Sequence, residues 1–207
     1  MMSVSQWWPL ALICLLGAMS PGPSLAVVVR HSVAGGSRAG IVCAISHAFG
    51  IFLWAAMMVS GLGVLVLSSP DIFFALRLAG AAFLFYLGWQ AIRARPTEPE
   101  PGSGPSAAGD YAGSPAREGF LIALSNPKVA VFFAALFSQF ISPTAPQAEQ
   151  WIIASTAATI DALWYVVVSV LLTRAAVLQW FQERSGLLNG IFGVILITLS
   201  LSIFLTG

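Results

Sequence analysis

Apolar residues run along this chain in long unbroken stretches, without the polar interruptions that give a soluble helix or strand its wet face. The stretches lie near 7–29, 41–67, 72–92, 119–142, 149–173 and 186–206. Each reaches the roughly 20 residues a helix needs to cross the hydrocarbon core of a bilayer. The pattern predicts an all-α integral membrane protein with six transmembrane helices. Between the third and fourth runs, positions 93–118 read RARPTEPEPGSGPSAAGDYAGSPARE and hold almost no large apolar side chain. Such a segment buries too little surface to offset the entropy of ordering it, so a flexible tether is expected. It divides the chain into units 1–92 and 119–207 with three crossings each. Related halves with an odd number of crossings must lie in the membrane with opposite topology.

Two of the runs are interrupted. Ser20-Pro21-Gly22-Pro23 breaks the first, and Ser125-Asn126-Pro127-Lys128 breaks the fourth. Non-helical backbone at that depth is tolerated only where it is buried in protein or lines a wet cavity. A pair of interrupted spans in corresponding positions of two halves points to a transporter binding site. Weak internal similarity runs the same way. Aligning Pro23 with Pro127 sets PSLAVVV beside PKVAVFF, Leu53-Trp54 matches Leu163-Trp164, and Gly80 matches Gly193. The expected architecture is two inverted three-helix repeats, with spans one and four broken at proline.

Composition strengthens the membrane assignment. The chain is 58% hydrophobic and 8% charged, with a mean hydropathy of +0.88, against roughly 25% charged in soluble domains. A net charge of +1 with no basic patch gives nucleic acid nothing to bind. Arginine decides orientation: Arg30, Arg38, Arg93, Arg95, Arg117, Arg174 and Arg184 all fall in the first, third and fifth connections, and the termini and the other connections have no Lys or Arg. The positive-inside rule puts those three loops in the cytoplasm and both termini outside. Nothing basic precedes Trp7, so the first run reads as a retained helix, not a signal peptide. Cys14 and Cys43 lie inside apolar runs and read as small buried hydrophobes. Gly80, Gly88, Gly190 and Gly193 read as points of close helix approach. The lipid bilayer is an expected partner, and the sequence is compatible with a homo-oligomer.

SPGPSLAVVVRHSVAGGSRAG in span one, the Gly40 to Gly50 stretch with His47, LRLAGAAFLFYLGWQAIR in span three and GFLIALSNPKVAVFFAALFSQFI in span four resemble the LysE/RhtB-type amino-acid exporters of the lysine exporter superfamily. The resemblance runs nearly end to end, and its most specific parts are the SPGP and NPK breaks and the end of span three. It implies a bacterial inner-membrane exporter of amino acids or close derivatives, driven by the proton gradient. SNPK and His47 look more like the homoserine/threonine-type branch than the basic-amino-acid branch. The long Pro-rich centre departs from the usual pattern and leaves the core motifs intact.

The residues themselves suggest how such a site would work. The half-helices after Pro23 and Pro127 both begin inside the membrane, where helix starts expose N–H groups and the positive end of the macrodipole. Asn126 before Pro127 has N-cap chemistry, and Ser20 or Gly22 can serve before Pro23. A substrate carboxylate is the natural occupant. Asp161 lies near the middle of span five, where an ionised acid is costly unless paired or wet, and it reads as a partner for a substrate ammonium, a proton carrier, or both in alternation. His47 is suited to passing protons near neutrality, though a lone histidine also serves packing. Lys128 could hold the carboxylate or gate the inner mouth, or it could snorkel to the inner headgroups. No cluster of Cys, His and carboxylates suggests a metal, and no cofactor is expected. No Ser/His/Asp trio, HExxH or paired acid supports an enzyme. A non-transport membrane scaffold or assembly factor is the other class, and it has no need of broken spans.

Overall fold

The computed structural model describes residues 4–20, 22–93, 113–140, 146–171 and 183–206, and every regular element in them is a helix. In chain order these are α1 (Val4–Met19), α2 (Pro23–Ser68), α3 (Pro70–Arg93), α4 (Pro115–Ser125), α5 (Pro127–Phe140), α6 (Gln147–Leu171) and α7 (Ser185–Thr206). Pro21, Arg174 and positions 94–112, which hold Arg95 and most of the expected tether, lie outside the described residues. Helices α2, α3, α4 and α5 each open on a proline. Proline suits the first helical position because its missing N–H would have no intrahelical partner there and its φ is already helical.

Two helix boundaries differ from the sequence reading. The connection expected between 29 and 41 shrinks to Gly36, whose φ of 73° and ψ of 175° interrupt α2. Only glycine enters that region without a Cβ penalty, so α2 has a shorter arm before Gly36 and a longer one after it, and Arg30, His31 and Arg38 are helical. Helix α4 starts at Pro115, inside the segment read as tether. Ser114 supplies an extended entry, and Glu118 places an acid in the first turn, where the macrodipole favours it.

Many large apolar side chains lie on the outside, and a set of polar ones is buried. Trp8 is 68% exposed and Leu163 62%, and they belong to a broad exposed set with Ile45, Phe49 and Leu187. Ser20, Ser24, His31, His47, Asn126 and Asp161 are buried. Water would penalise so much exposed apolar surface, whereas lipid does not. By length and composition Pro23–Met58 and Gln147–Leu171 can each cross a membrane. Every helix contributes to one core cluster, from Leu10 and Ile13 in α1 through Phe133 and Phe137 in α5 to Leu196 in α7. A second cluster joins both arms of α2 to α6 through Leu25, Val28, Cys43, Ala44, Tyr165 and Val168.

Lipid gives apolar helices little reason to associate, so close packing has to hold them. Helices α3 and α7 meet at Gly88 and Gly193. A Cβ on Gly88 would lie 2.6 Å from the Gly193 carbonyl oxygen, and one on Gly193 would lie 2.5 Å from the Gly88 oxygen. Ser200 Oγ donates to the Ala81 carbonyl at 2.8 Å in the same pair. Gly190 does not share this role among the described residues, none of which lies within 4 Å of its Cβ position. Gly88→Val should therefore lower the melting temperature of the detergent-purified protein, with a cost of about 3 kcal/mol because backbone cannot yield as a side chain can. Gly190→Ala should leave melting unchanged or raise it slightly through helix propensity. Equal melting of Gly88→Val and the original protein would show that the two helices do not depend on this contact.

Candidate functional site

The site begins where two helices stop and restart. Helix α1 ends at Met19, and the Ser20 N–H closes it by donating to Leu16 at 3.0 Å. Gly22 then offers its carbonyl to the Ala26 N–H at 3.0 Å as α2 resumes at Pro23. The amides ahead of Ala26 are ones that a helix leaves without intrahelical acceptors. In the other half α4 ends at Ser125, and Asn126 is extended at φ −74° and ψ 109°. The Trp54 indole donates to the Leu124 carbonyl at 3.2 Å, satisfying a group the broken helix would leave open.

Asn126 organises the second restart. Its Oδ1 accepts from the Lys128 N–H at 3.0 Å, and its carbonyl accepts from Val129 at 3.0 Å and Ala130 at 3.2 Å. The first amides of α5 are thus occupied by Asn126 itself. Its side-chain amide donates to Ser24 Oγ at 3.1 Å, and the Lys128 ammonium donates to Ser20 Oγ at 2.7 Å. These two bonds tie one break to the other. The positive element facing the first break is therefore the Lys128 Nζ, which lies 3.6 Å from the position a Gly22 Cβ would take.

Ser20, Gly22, Asn126, Lys128, His47 and Asp161 all line one cavity with about 50 Å³ of water-sized space. That is room for a few waters, so admission of a larger solute requires the walls to part. Pro23 and Pro127 are exposed and contribute no wall; their part is to restart the helices. Elsewhere in the wall His47 Nδ1 and Asp161 Oδ2 are 2.8 Å apart, with His47 1% and Asp161 7% exposed. One proton lies between imidazole and carboxylate whichever of the two carries it. Among the described residues His47 Nε2 has no hydrogen-bond partner, and the Tyr165 ring stands edge-on to the imidazole with centroids 5.1 Å apart. A lysine at the breaks and an acid–imidazole pair beyond them give the cavity a basic end and an acidic end.

Some of this arrangement escaped the sequence reading. Tyr165 follows Asp161 by one helical turn and so shares its face, a spacing that could have identified it. Ser24 adjoins a break already singled out. His31, assigned to a loop, is 1% exposed and its Nε2 lies 2.9 Å from Glu118 Oε2. Arg30 pairs with the same carboxylate oxygen. This cluster pins the short arm of α2 to the start of α4. Nothing in the separation of these residues along the chain announces it.

Known proteins place the chain in context. The family model described as LysE type translocator matches residues 15–207. An uncharacterized membrane protein of Pseudomonas aeruginosa is 30% identical across 97% of this chain and 99% of its own length. The threonine efflux protein of Salmonella typhi is 23% identical across 91% of this chain and 92% of its own. The leucine efflux protein of Salmonella choleraesuis is 28% identical across 69% and 66%. No solved structure matches. A family match that runs from α1 to the last residue, on a helical body with its apolar side chains turned outward, makes this chain a membrane protein of the LysE type translocator family.

Proposed function

We propose that this protein is a secondary transporter that exports neutral amino acids or close derivatives, threonine- or homoserine-like, from the cytoplasm across the bacterial inner membrane by proton antiport. The observation that carries the reading is the two-pole cavity. The carboxylate of a zwitterion would meet the Lys128 Nζ and the start of α2 beside Ser20 and Gly22, and its ammonium would meet Asp161. Lys128 and the His47–Asp161 pair are the only charged or imidazole side chains in this wall among the described residues. A substrate side chain with its own charge would be buried without a counter-ion, which costs several kcal/mol. Relatives named for threonine and leucine efflux fit that preference.

The architecture in this reading has six crossings: α1 with the short arm of α2, the long arm of α2, α3, α4 with α5, α6, and α7. Units 1–92 and 119–207 form inverted repeats that rock about the cavity, joined by the segment between α3 and α4. The pairing of α3 with α7, the last span of each unit, supports the symmetry. Both termini face outward. Protonation of Asp161 from outside weakens its hold on the ammonium and favours release there; loss of that proton to the cytoplasm, passed by His47, resets the carrier. Efflux of threonine from vesicles containing the purified protein should accelerate several-fold when an inward proton gradient is imposed. Efflux equal to that of protein-free vesicles would end the exporter reading, and efflux blind to the gradient would end the antiport part. A reporter fused to the C-terminus should be active only outside the cytoplasm.

A further inference from the structure

The cavity wall has one apolar contact with an unusual fit. Gly17 in α1 and Phe132 in α5 both line the cavity, and the tip of the Phe132 ring lies 2.8 Å from where a Gly17 Cβ would stand. Real Cβ atoms do not approach so closely, so the ring occupies the space that any other residue at position 17 would fill. On its own helix Phe132 packs edge-to-face against Phe133, with centroids 5.4 Å apart and planes at 74°, and Phe133 is backed by Phe137 at 5.2 Å. Phe132 and Phe133 are buried. Phe133 stands on one side of the ring and the cavity it lines on another, so a side chain at position 17 presses the ring against Phe133 or into the cavity.

We infer that the Phe132 ring seated on Gly17 is the wall that sets which side-chain size the cavity admits. This rests on the amino-acid export reading. With the carboxylate and ammonium held at the two poles, the substrate side chain faces the remaining wall, which consists of Gly17, Phe132, Val129, Ile51 and other uncharged residues. Gly17 lets the tip of the ring abut α1 and holds the space open; a side chain at 17 narrows it, and a smaller residue at 132 widens it. A hydrophobic pocket discriminates by roughly tenfold or more per methylene, so the contact sets a substrate class and not merely a packing preference.

The test is efflux of serine, threonine, leucine and phenylalanine from vesicles containing the purified protein, Gly17→Ala, Phe132→Leu or the double variant. Phe132→Leu should raise the leucine-to-threonine rate ratio by about tenfold. Gly17→Ala should depress leucine and phenylalanine before serine. The double variant should return toward the original ratio, because the shorter side chain vacates the space the new methyl needs. Either single variant carries the test if the other fails to accumulate in the membrane. Original protein that exports threonine, beside a transporting variant with unchanged ratios, overturns the wall and leaves the exporter reading standing. Original protein that exports none of the four overturns both.

Discussion

Asp161→Asn should insert and fold normally yet lose gradient-driven export, with the rate falling by about 30-fold or more. The estimate takes about 2 kcal/mol as the lower end for removing one member of a buried charge pair. An asparagine oxygen can still accept from His47 Nδ1, which now lies 2.8 Å from Asp161 Oδ2, so the packing of α2 on α6 survives. What disappears is the capacity to ionise. Exchange of substrate between the two sides should persist better than net export, because exchange does not require a proton to be carried back. Efflux from preloaded vesicles, with and without an imposed proton gradient, separates the two activities. An Asp161→Asn protein that responds to the gradient as the original does would falsify the coupling role. The buried pair would then be a structural contact between α2 and α6.

Lys128→Met should have an effect of comparable size on substrate affinity. Methionine keeps an unbranched apolar stem along the cavity wall and removes the ammonium that donates to Ser20 Oγ at 2.7 Å. If that charge receives the substrate carboxylate, the half-saturating concentration should rise by about 30-fold or more. The response to the proton gradient should change little, since the His47–Asp161 pair is intact. The dependence of transport rate on substrate concentration measures this directly. Should Lys128 only snorkel toward headgroups, the affinity would stay where it is. Opposite signatures in the two variants, coupling lost in one and affinity in the other, would assign the poles of the cavity separately.

Membrane residence was decided by the sequence alone, and for a local reason. Hydrocarbon thickness dictates the length of an apolar run, and a run can be read without knowing its neighbours. The same holds for the helix interruptions around Pro23 and Pro127, because proline's missing donor and fixed φ act on the residues beside it. Asp161 was conspicuous for an equally local reason, as an acid in the middle of an apolar run. The tertiary structure decided which polar groups meet. Asp161 and His47 were separate candidates in the sequence, and helix packing turns them into one hydrogen-bonded pair across 114 positions. Lys128 reaches Ser20 across 108 positions, Asn126 reaches Ser24 across 102, and His31 finds Glu118 across 87. Gly88 and Gly193 both read as points of close approach, yet only the fold shows that they face one another while no described residue stands against Gly190. Apolar helices resemble one another in composition, and with lipid on the outside the hydrophobic pattern no longer marks which face turns inward. Helix contacts therefore rest on shape and on a few hydrogen bonds between distant positions, and those come into view only when the helices are packed.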